Sequence, residues 1–230
     1  MEATATGVRA QAKQAMLEAI LTAARRQLAE VGPAALSVRA VARDVGMASS
    51  AIYRHVASRD ELLTLLITDA YEDLGAAIEV ADLEVTREDH AGRFRAAAQG
   101  ARRWALAEPH RYALVYGSPV PGYIAPEATI GPATRGTAVF ARILVDATAT
   151  GAVERVGRSY LGPALLVPEV LDDFLPGVSV ELAALGVLCW AEIFGLISFE
   201  LFGHLVGSVA DNEAFFTAGV SEMVDRLGLG

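Results

Sequence analysis

The stretch from Ser37 to Asp60, SVRAVARDVGMASSAIYRHVASRD, constrains the fold of this chain more than any other. Small and apolar residues recur on one side of two short segments, and Gly46 stands between the segments, where the backbone must turn sharply. The pattern predicts a helix-turn-helix. Its inward positions are Val38, Val41, Val45, Met47 and Ile52, with Ala42 where the helices approach closely.

The second segment is predicted to form a helix from about Ser49 to Val56 that lies in the major groove of DNA. Small residues at its start allow a close approach to the duplex, where unpaired N–H groups favour a phosphate oxygen. Tyr53 and His55 carry polar tips for the sugar-phosphate backbone, and Arg54 has the reach for phosphate or base. The small residues are Ala48, Ser49, Ser50 and Ala51.

Three motifs in this order resemble the DNA-binding domain of the TetR/AcrR family of bacterial transcriptional regulators. They are LAEVGPAAL, LSVRAVARDVGM and SSAIYRHVASRDELL, and the resemblance covers residues 10 to 80. It implies that four residues cap helices or touch phosphates: Ser37, Tyr53, His55 and Arg59. The family often has Ser or Thr followed by Lys at the start of the recognition helix. This chain has Ala48 and Ser49, which leaves fewer charged contacts to bases.

We therefore predict a DNA-binding surface formed by Ser37, Arg39, Ala48, Ser49, Ser50, Tyr53, Arg54, His55 and Arg59. Some of these residues also have a purely structural interpretation. Ser37 is a suitable N-cap for the helix that follows it. Tyr53, taken alone, is typical of a half-buried core aromatic. Their joint order, rather than any single residue, favours DNA binding.

Charge is distributed unevenly along the 230 residues. The chain has a formal net charge of −9, yet residues 1–60 carry eight Lys and Arg against five Asp and Glu, a net of +3. The remaining residues hold eleven basic and twenty-three acidic side chains, a net of −12. A basic N-terminal part and an acidic remainder are expected when only the N-terminal part contacts the phosphates of DNA. Salt should weaken such binding, because released counterions drive much of the affinity.

Composition and the N-terminus indicate the compartment. A hydrophobic content of 53% allows a large core, and the one cysteine, Cys189, excludes a disulfide framework within the chain. The opening residues, MEATATGVRAQAKQ, are polar and lack the apolar segment of a signal peptide. We therefore predict a cytoplasmic protein.

Apolar residues at three- and four-residue spacing predict an all-α fold. A three-helix helix-turn-helix head at residues 1–58 should be joined by a long helix, from about Arg59 to Ile78, to a helical body within residues 59–230. A helix shared in this way can couple the two parts. Other helices are predicted at 10–31, 86–108, 109–117, 132–150, 180–206 and 211–227, with an interrupted one at 163–177 and a proline-rich loop at 117–131.

The helix predicted at 180–206 is apolar on more than one face. Its length would suit a membrane span, but Glu192, Glu200 and His204 interrupt it, and charge inside a membrane is costly. We interpret it, with the helix at 211–227, as the interface of a homodimer, because a two-fold dimer supplies two heads for two half-sites. Glu192 is then either a polar group at the interface or a ligand-facing acid.

Two body motifs, WALAEPHRYALVYGSPVPGY and CWAEIFGLISFELFG, resemble a C-terminal ligand-binding and dimerisation domain of the same family, of the Trp-His-Gly type. Here Trp190 is followed by Phe194 and Gly195, so the hydrogen-bonding His is missing. The resemblance implies a cavity for a small, largely apolar inducer, lined by aromatic residues. The candidates are Trp104, Tyr112, Tyr116, Phe140, Trp190 and Phe194, and core packing is the alternative for each.

These features predict a dimeric regulator of a double-stranded DNA operator, a repressor that a small-molecule inducer releases. An enzyme is the rival class, but the histidines are scattered and no metal-ligand or glycine-rich loop motif is present. We predict no enzymatic activity, no metal, no cofactor and no membrane partner. The remaining alternative is a helical small-molecule-binding protein that has lost specific DNA binding.

Overall fold

The structure is a computed structural model that describes residues 2–153 and 166–229. Within these ranges the chain forms α-helices and short 3-10 turns and no β-strand, which confirms the all-α prediction. The described helices are α1 Glu2–Val31, α2 Val38–Asp44, α3 Arg59–Leu83, α4 His90–Ala107, α5 Pro109–Tyr116, α6 Ile130–Ala149, α7 Pro168–Phe174, α8 Val180–Leu201 and α9 Asn212–Leu227.

The chain divides into two compact units. The first comprises Met1–Ala70 and His110–Ile130, and the second comprises Tyr71–Pro109 and Gly131–Gly230. Helix α3 therefore contributes its first half to one unit and its second half to the other. The division into functional domains at 1–58 and 59–230 stays a prediction.

Several helices begin where the sequence supplies a capping side chain. The Asp89 carboxylate accepts a hydrogen bond from the Gly92 N–H at 2.7 Å, and Asp211 accepts one from Ala214 at 3.0 Å. Each carboxylate satisfies one of the N–H groups that a helix start leaves without a partner. At the other end of α9, Gly228 adopts a φ of 70°, the left-handed conformation that terminates helices.

The helix predicted at 180–206 is shorter in the structure and ends at Leu201. Gly203 and Gly207 adopt φ values of 78° and 80°, so the chain turns twice before α9. Glycine reaches this left-handed region without a Cβ clash, and the helix stops there. The apolar pattern that continues to Val206 therefore does not extend the helix.

Two other helix limits also differ from the sequence-based expectation. The first helix begins at Glu2 rather than at Ala10, because helix-compatible residues without an apolar stripe precede the periodic segment. Pro168 begins α7 instead of interrupting a helix, since a proline in the first turn lacks only an N–H that has no helical partner. The part of the 163–177 prediction before 166 lies outside the described residues.

The core of the first unit is apolar and joins α1, α2, the turn after α2 and α3. Its members Ile20, Leu28, Val41, Ile52 and Leu62 are each at most 1% exposed. Burial of such side chains stabilises a fold by about 1.5–3 kcal/mol each relative to exposure. This core holds the helix-turn-helix against the rest of the first unit.

Ion pairs and a hydroxyl contact hold α5 and the loop after it in the first unit. The Arg111 guanidinium donates to the Asp69 carboxylate at 2.9 Å, and Arg25 donates to the same carboxylate at 2.6 Å. The Asp69 hydrogen bond raises the pKa of Arg25 above its ordinary value. In the proline-rich loop, the Tyr123 hydroxyl lies 2.9 Å from the Thr64 hydroxyl of α3.

Helices α4, α8 and α9 of the second unit meet around a buried ion pair. The Arg102 guanidinium donates to both Glu200 carboxylate oxygens, at 2.8 and 2.7 Å, and each side chain is 9% exposed. The guanidinium carbon lies 5.6 Å from the ring centre of Phe216 on α9. The hydrogen bonds to Glu200 raise the pKa of Arg102, so the arginine stays charged.

A second buried arginine joins α3, α4 and α6. Arg93 is fully buried and donates to Asp82 at 2.7 Å and to Asp146 at 2.8 Å. Burial lowers the pKa of Arg93, but the hydrogen bonds to the two carboxylates outweigh that effect and the pKa is raised. The second unit thus holds both Arg93 and Arg102 in buried positions with carboxylate partners.

Replacing Arg102→Ala should destabilise the protein by about 3–5 kcal/mol, because it leaves the buried Glu200 carboxylate without its partner. Urea unfolding followed by circular dichroism measures this loss. The double replacement Arg102→Met with Glu200→Leu is the control, since it leaves no lone charge and should cost much less. Equal losses of unfolding free energy in the two proteins would mean that packing, not charge pairing, stabilises the contact between α4 and α8.

Candidate nucleic-acid interface

Helix α2 begins at a serine cap and ends at a glycine turn, as the sequence predicts. The Ser37 hydroxyl accepts a hydrogen bond from the Ala40 N–H at 3.4 Å. After the helix, Gly46 adopts a φ of 71°, and the Met47 N–H donates to the Ala42 carbonyl at 2.8 Å. The left-handed glycine lets the chain reverse direction within a few residues. The first helix and the glycine turn of the predicted helix-turn-helix are therefore present.

The second element of the motif is not the regular helix predicted for Ser49–Val56. The chain forms turns followed by a 3-10 helix at Ile52–Arg54, and the Ala51 N–H donates to the Ala48 carbonyl. Backbone hydrogen bonds between residues three apart predominate here, although the Val56 N–H donates to the Ile52 carbonyl, four residues before it. Serine side chains favour turns over helix interiors, and Ser49 and Ser50 stand at the start of this segment. The expected row of free N–H groups at a helix start is therefore not formed.

Most of the predicted contact residues form an exposed surface on α2 and this turn. Tyr53 is 45% exposed, although its neighbour Ile52 is fully buried. A large aromatic side chain with this exposure is not a core residue of the isolated chain. The other exposed members of the set are Arg39, Ala48, Ser49, Ser50 and Arg54.

Two arginines of this surface differ from Arg25 on α1 of the same unit. Arg39 and Arg54 form no ion pair with any residue that the structure describes. In contrast, Arg25 pairs with Glu18 and Asp69. An exposed arginine without a carboxylate partner is available for phosphate contact.

Two of the predicted contact residues face the protein itself. The Arg59 guanidinium donates to the Pro33 carbonyl at 2.8 Å and to the Ala34 carbonyl at 3.2 Å, which ties the start of α3 to the α1–α2 connection. His55 is half-buried, and its Nδ1 is buried without a hydrogen-bond partner among the described residues. Any contact of Arg59 with DNA stays a prediction.

The proposed ligand-binding aromatics are mostly packed within the protein. Trp104 is 7% exposed and its indole N–H donates to Asp73 at 3.1 Å. Phe140 meets Phe94 edge to face, with ring centres 5.2 Å apart. These contacts are those of core residues. Tyr112 and Phe194 are buried as well, whereas Tyr116 and Trp190 are half-buried.

The six aromatics also belong to two different units. Tyr112 and Tyr116 stack at 5.1 Å in the first unit, and the others lie in the second, where Trp190 and Phe194 are 5.8 Å apart. A surface cleft of the second unit contains none of the six. It is lined by Ala138, Arg142, Val145, Asp173, Phe174 and Pro176.

One polar residue that packs against α2 was missed by the motif-based prediction. Gln27 is 7% exposed on α1, and its amide bonds to residues at both ends of α2. The available signal was a polar side chain next to Leu28, within the apolar stripe of α1. Spacing alone does not reveal which residues such an amide contacts.

Two family models match this chain. Residues 20–66 match the model described as "Bacterial regulatory proteins, tetR family". Residues 94–223 match the model described as "Tetracyclin repressor-like, C-terminal domain". The first match covers the helix-turn-helix with the helices around it, and the second covers more than half of the chain.

The chain is also similar to curated proteins over most of its length. The HTH-type transcriptional regulator Rv1816 of Mycobacterium tuberculosis is 38% identical over 207 residues, which are 86% of each chain. The HTH-type transcriptional regulator Mb1846 of Mycobacterium bovis has the same identity and coverage.

Solved structures share the fold. The crystal structure of SCO4313, described as a candidate regulatory protein, has a TM-score of 0.76 and 31% identity and covers 94% of this chain and 98% of that one. The structure of RolR in complex with resorcinol has a TM-score of 0.53 and 16% identity, with 93% of this chain and 89% of that one covered. The second likeness shows the fold alone.

Replacing Arg54→Gln should lower DNA affinity and reduce the slope of log affinity against log salt by up to about 0.9, because one positive charge is lost from the surface that contacts DNA. Arg26→Gln is the matched control. It removes the same charge from an exposed position on α1, outside the predicted surface. Titration of a labelled duplex at several salt concentrations measures both slopes. The same change for Arg26→Gln would show that net charge, not position, determines the affinity.

Proposed function

The chain belongs to the TetR family of transcriptional regulators, a family without enzymatic activity, and from this premise we propose that it is a cytoplasmic repressor that a small ligand releases from its operator. Family membership implies binding of an operator in double-stranded DNA. The repressor role, the ligand and the dimer interface are the parts that we add.

The observation that carries the DNA-binding part is the surface of α2 and the turn after it. Arg39 and Arg54 are exposed and unpaired among the described residues, and Tyr53 is exposed beside them. Arginine contacts to phosphates position a protein on the duplex, and arginine contacts to base edges specify sequence. Ala48 and Ser49 are small and uncharged, so base contacts fall chiefly to Arg54 and the serines.

We propose that α8 and α9 form the interface of a two-fold dimer. One face of α8 packs inside the second unit, while Val187, Leu188 and Phe199 on the same helix are 38%, 40% and 54% exposed. On α9, Phe215 is 45% exposed. An exposed apolar surface of this kind is typical of a protein interface, and a dimer provides the two heads that two half-sites need.

Helix α8 is also long and apolar enough to cross a membrane, and it is the one described helix that meets this criterion. Its charged residues favour the protein interface instead. Glu200 is paired with Arg102 of α4, and Glu192 is paired with Arg226 of α9. A helix in a bilayer would have to bury these groups at high cost. We therefore treat Glu192 as a polar group at the edge of the interface.

The proposed ligand is small and largely apolar. RolR, which has the same fold, holds resorcinol, an aromatic diol, in its solved structure. In this chain the half-buried Trp190 has an indole N–H without a partner among the described residues, and this donor suits a polar atom on an apolar ligand. Trp190 and Phe194 are therefore the aromatics that we favour for ligand contact.

Release is proposed to follow from a population shift. A ligand that binds more tightly to the form of the dimer that does not fit DNA lowers operator occupancy, by no more than its difference in affinity for the two forms. Helix α3 is the candidate for coupling, because it contributes residues to both units.

Selection from a pool of random duplex DNA tests the proposed function. The purified protein is equilibrated with the pool at about 50 mM and about 200 mM salt, and the bound fraction is sequenced. We expect enrichment of one two-fold-symmetric site, more weakly at the higher salt. No enrichment at low salt by a folded dimer would instead support a small-molecule-binding protein without specific DNA binding.

Replacing Leu188→Glu should dissociate the dimer, because two-fold symmetry brings a new carboxylate from each copy to one interface. Leu106→Glu is the matched control on α4, since Leu106 is 42% exposed and Leu188 is 40% exposed. Sedimentation over a dilution series should show the dimer dissociation constant raised about tenfold or more for the first variant and unchanged for the second. A dimeric Leu188→Glu protein would exclude this interface.

A further inference from the structure

The amide of Gln27 on α1 bonds to both ends of helix α2. The Ser37 N–H donates to Gln27 Oε1 at 3.4 Å, and Gln27 Nε2 donates to Asp44 Oδ2 at 3.3 Å. Ser37 is the N-cap of α2, and Asp44 is its last residue. One side chain therefore contacts a residue at each end of a seven-residue helix.

Only one orientation of this amide satisfies both contacts. A backbone N–H is solely a donor and an ionised carboxylate is solely an acceptor, so the carbonyl oxygen must face Ser37 and the NH₂ group must face Asp44. The opposite orientation would place donor against donor and acceptor against acceptor. Gln27 is 7% exposed, so its amide has little access to water as an alternative partner.

These bonds matter because α2 cannot hold its own position. A helix of two turns is not stable alone, and its buried side chains Val38, Val41 and Ala42 provide apolar contacts that are not directional. Apolar contact tolerates a small slide or rotation of α2 on α1. Two directional hydrogen bonds, one at each end of the helix, oppose such a movement.

A second clamp acts on the same connection from the other side. Arg59 at the start of α3 bonds to the carbonyls of Pro33 and Ala34, directly before α2. Because Gly46 connects α2 to the exposed turn, the orientation of α2 determines where Tyr53 and Arg54 lie. Base-edge hydrogen bonds need donor–acceptor distances near 2.9 Å, so a small rotation of α2 displaces the turn out of reach.

We infer that Gln27 is a positioning residue for operator recognition, which fixes α2 and the turn after it in the orientation that fits base edges. This inference rests on the proposed function, because it concerns the same interface. It assigns no DNA contact to Gln27 itself.

The test exchanges the donor and the acceptor of the hydrogen bond between Gln27 and Asp44. In Gln27→Glu, a carboxylate faces the Asp44 carboxylate and the donor is lost, while the bond from Ser37 remains possible. In Gln27→Glu with Asp44→Asn, the introduced carboxylate accepts from both Ser37 and the introduced amide. The double variant also keeps the net charge of the wild type, so its non-specific affinity for DNA should be unchanged.

The measured quantity is the ratio of operator affinity to scrambled-duplex affinity, with each protein verified as folded by circular dichroism. We expect Gln27→Glu to lower this ratio about tenfold and the double variant to return it to within about twofold of wild type. Gln27→Met, which keeps volume and helix propensity but removes both bonds, should lower the ratio without dissociating the dimer. Asp44→Asn alone retains an acceptor for Gln27 and should leave the ratio within about twofold of wild type.

Two outcomes overturn the inference. One is a double variant that stays as weak as Gln27→Glu, and the other is a Gln27→Met protein with the wild-type ratio. If the wild-type protein selects no operator, the proposed function has failed and the recognition role fails with it. Amide hydrogen exchange then still tests the clamp, because exchange at Ser37 should be faster in Gln27→Met than in wild type. An unchanged rate at Ser37 would refute the clamp itself.

Discussion

The first unit depends on the packing of α2 against α1. A helix of seven residues is too short to be stable on its own. Helix α2 is stable because its residues Val41 and Ala42 are fully buried. The position of the segment directly after α2 depends on this arrangement. Gly46 turns the chain, Ile52 returns it to the same core, and the exposed side chains between them are presented from a fixed base.

Helix α8 shows a related constraint in the second unit. A helix with a buried face and an exposed apolar face must either cross a membrane or meet another protein surface. The paired carboxylates of Glu192 and Glu200 favour the second course, because each already has an arginine partner on a neighbouring helix. The same helix packs within the second unit and leaves apolar side chains exposed, and the proposed dimer interface rests on these.

Much of the candidate interface was predictable because capping and turn chemistry are local. Ser37 can cap the helix because its side-chain oxygen accepts a hydrogen bond, and Gly46 can form the turn because it has no Cβ. The structure confirms both roles. The predicted helix at Ser49–Val56 is wrong, since apolar spacing does not distinguish an α-helix from turns and a 3-10 helix in so short a segment. The inward direction of Arg59 also escaped prediction, because its carbonyl partners lie more than twenty residues away in sequence.

The all-α fold, the helix-turn-helix and the family could be predicted from the amino-acid sequence, because they follow from periodicity, caps and the order of motifs along the chain. The pairing of polar groups could not be predicted in this way and is seen only in the folded protein. Arg102 with Glu200, and Gln27 with the two ends of α2, are separated along the chain and carry no signature of their partners. The physical reason is that a hydrogen bond depends on distance and direction in space, whereas sequence spacing fixes geometry only within one element.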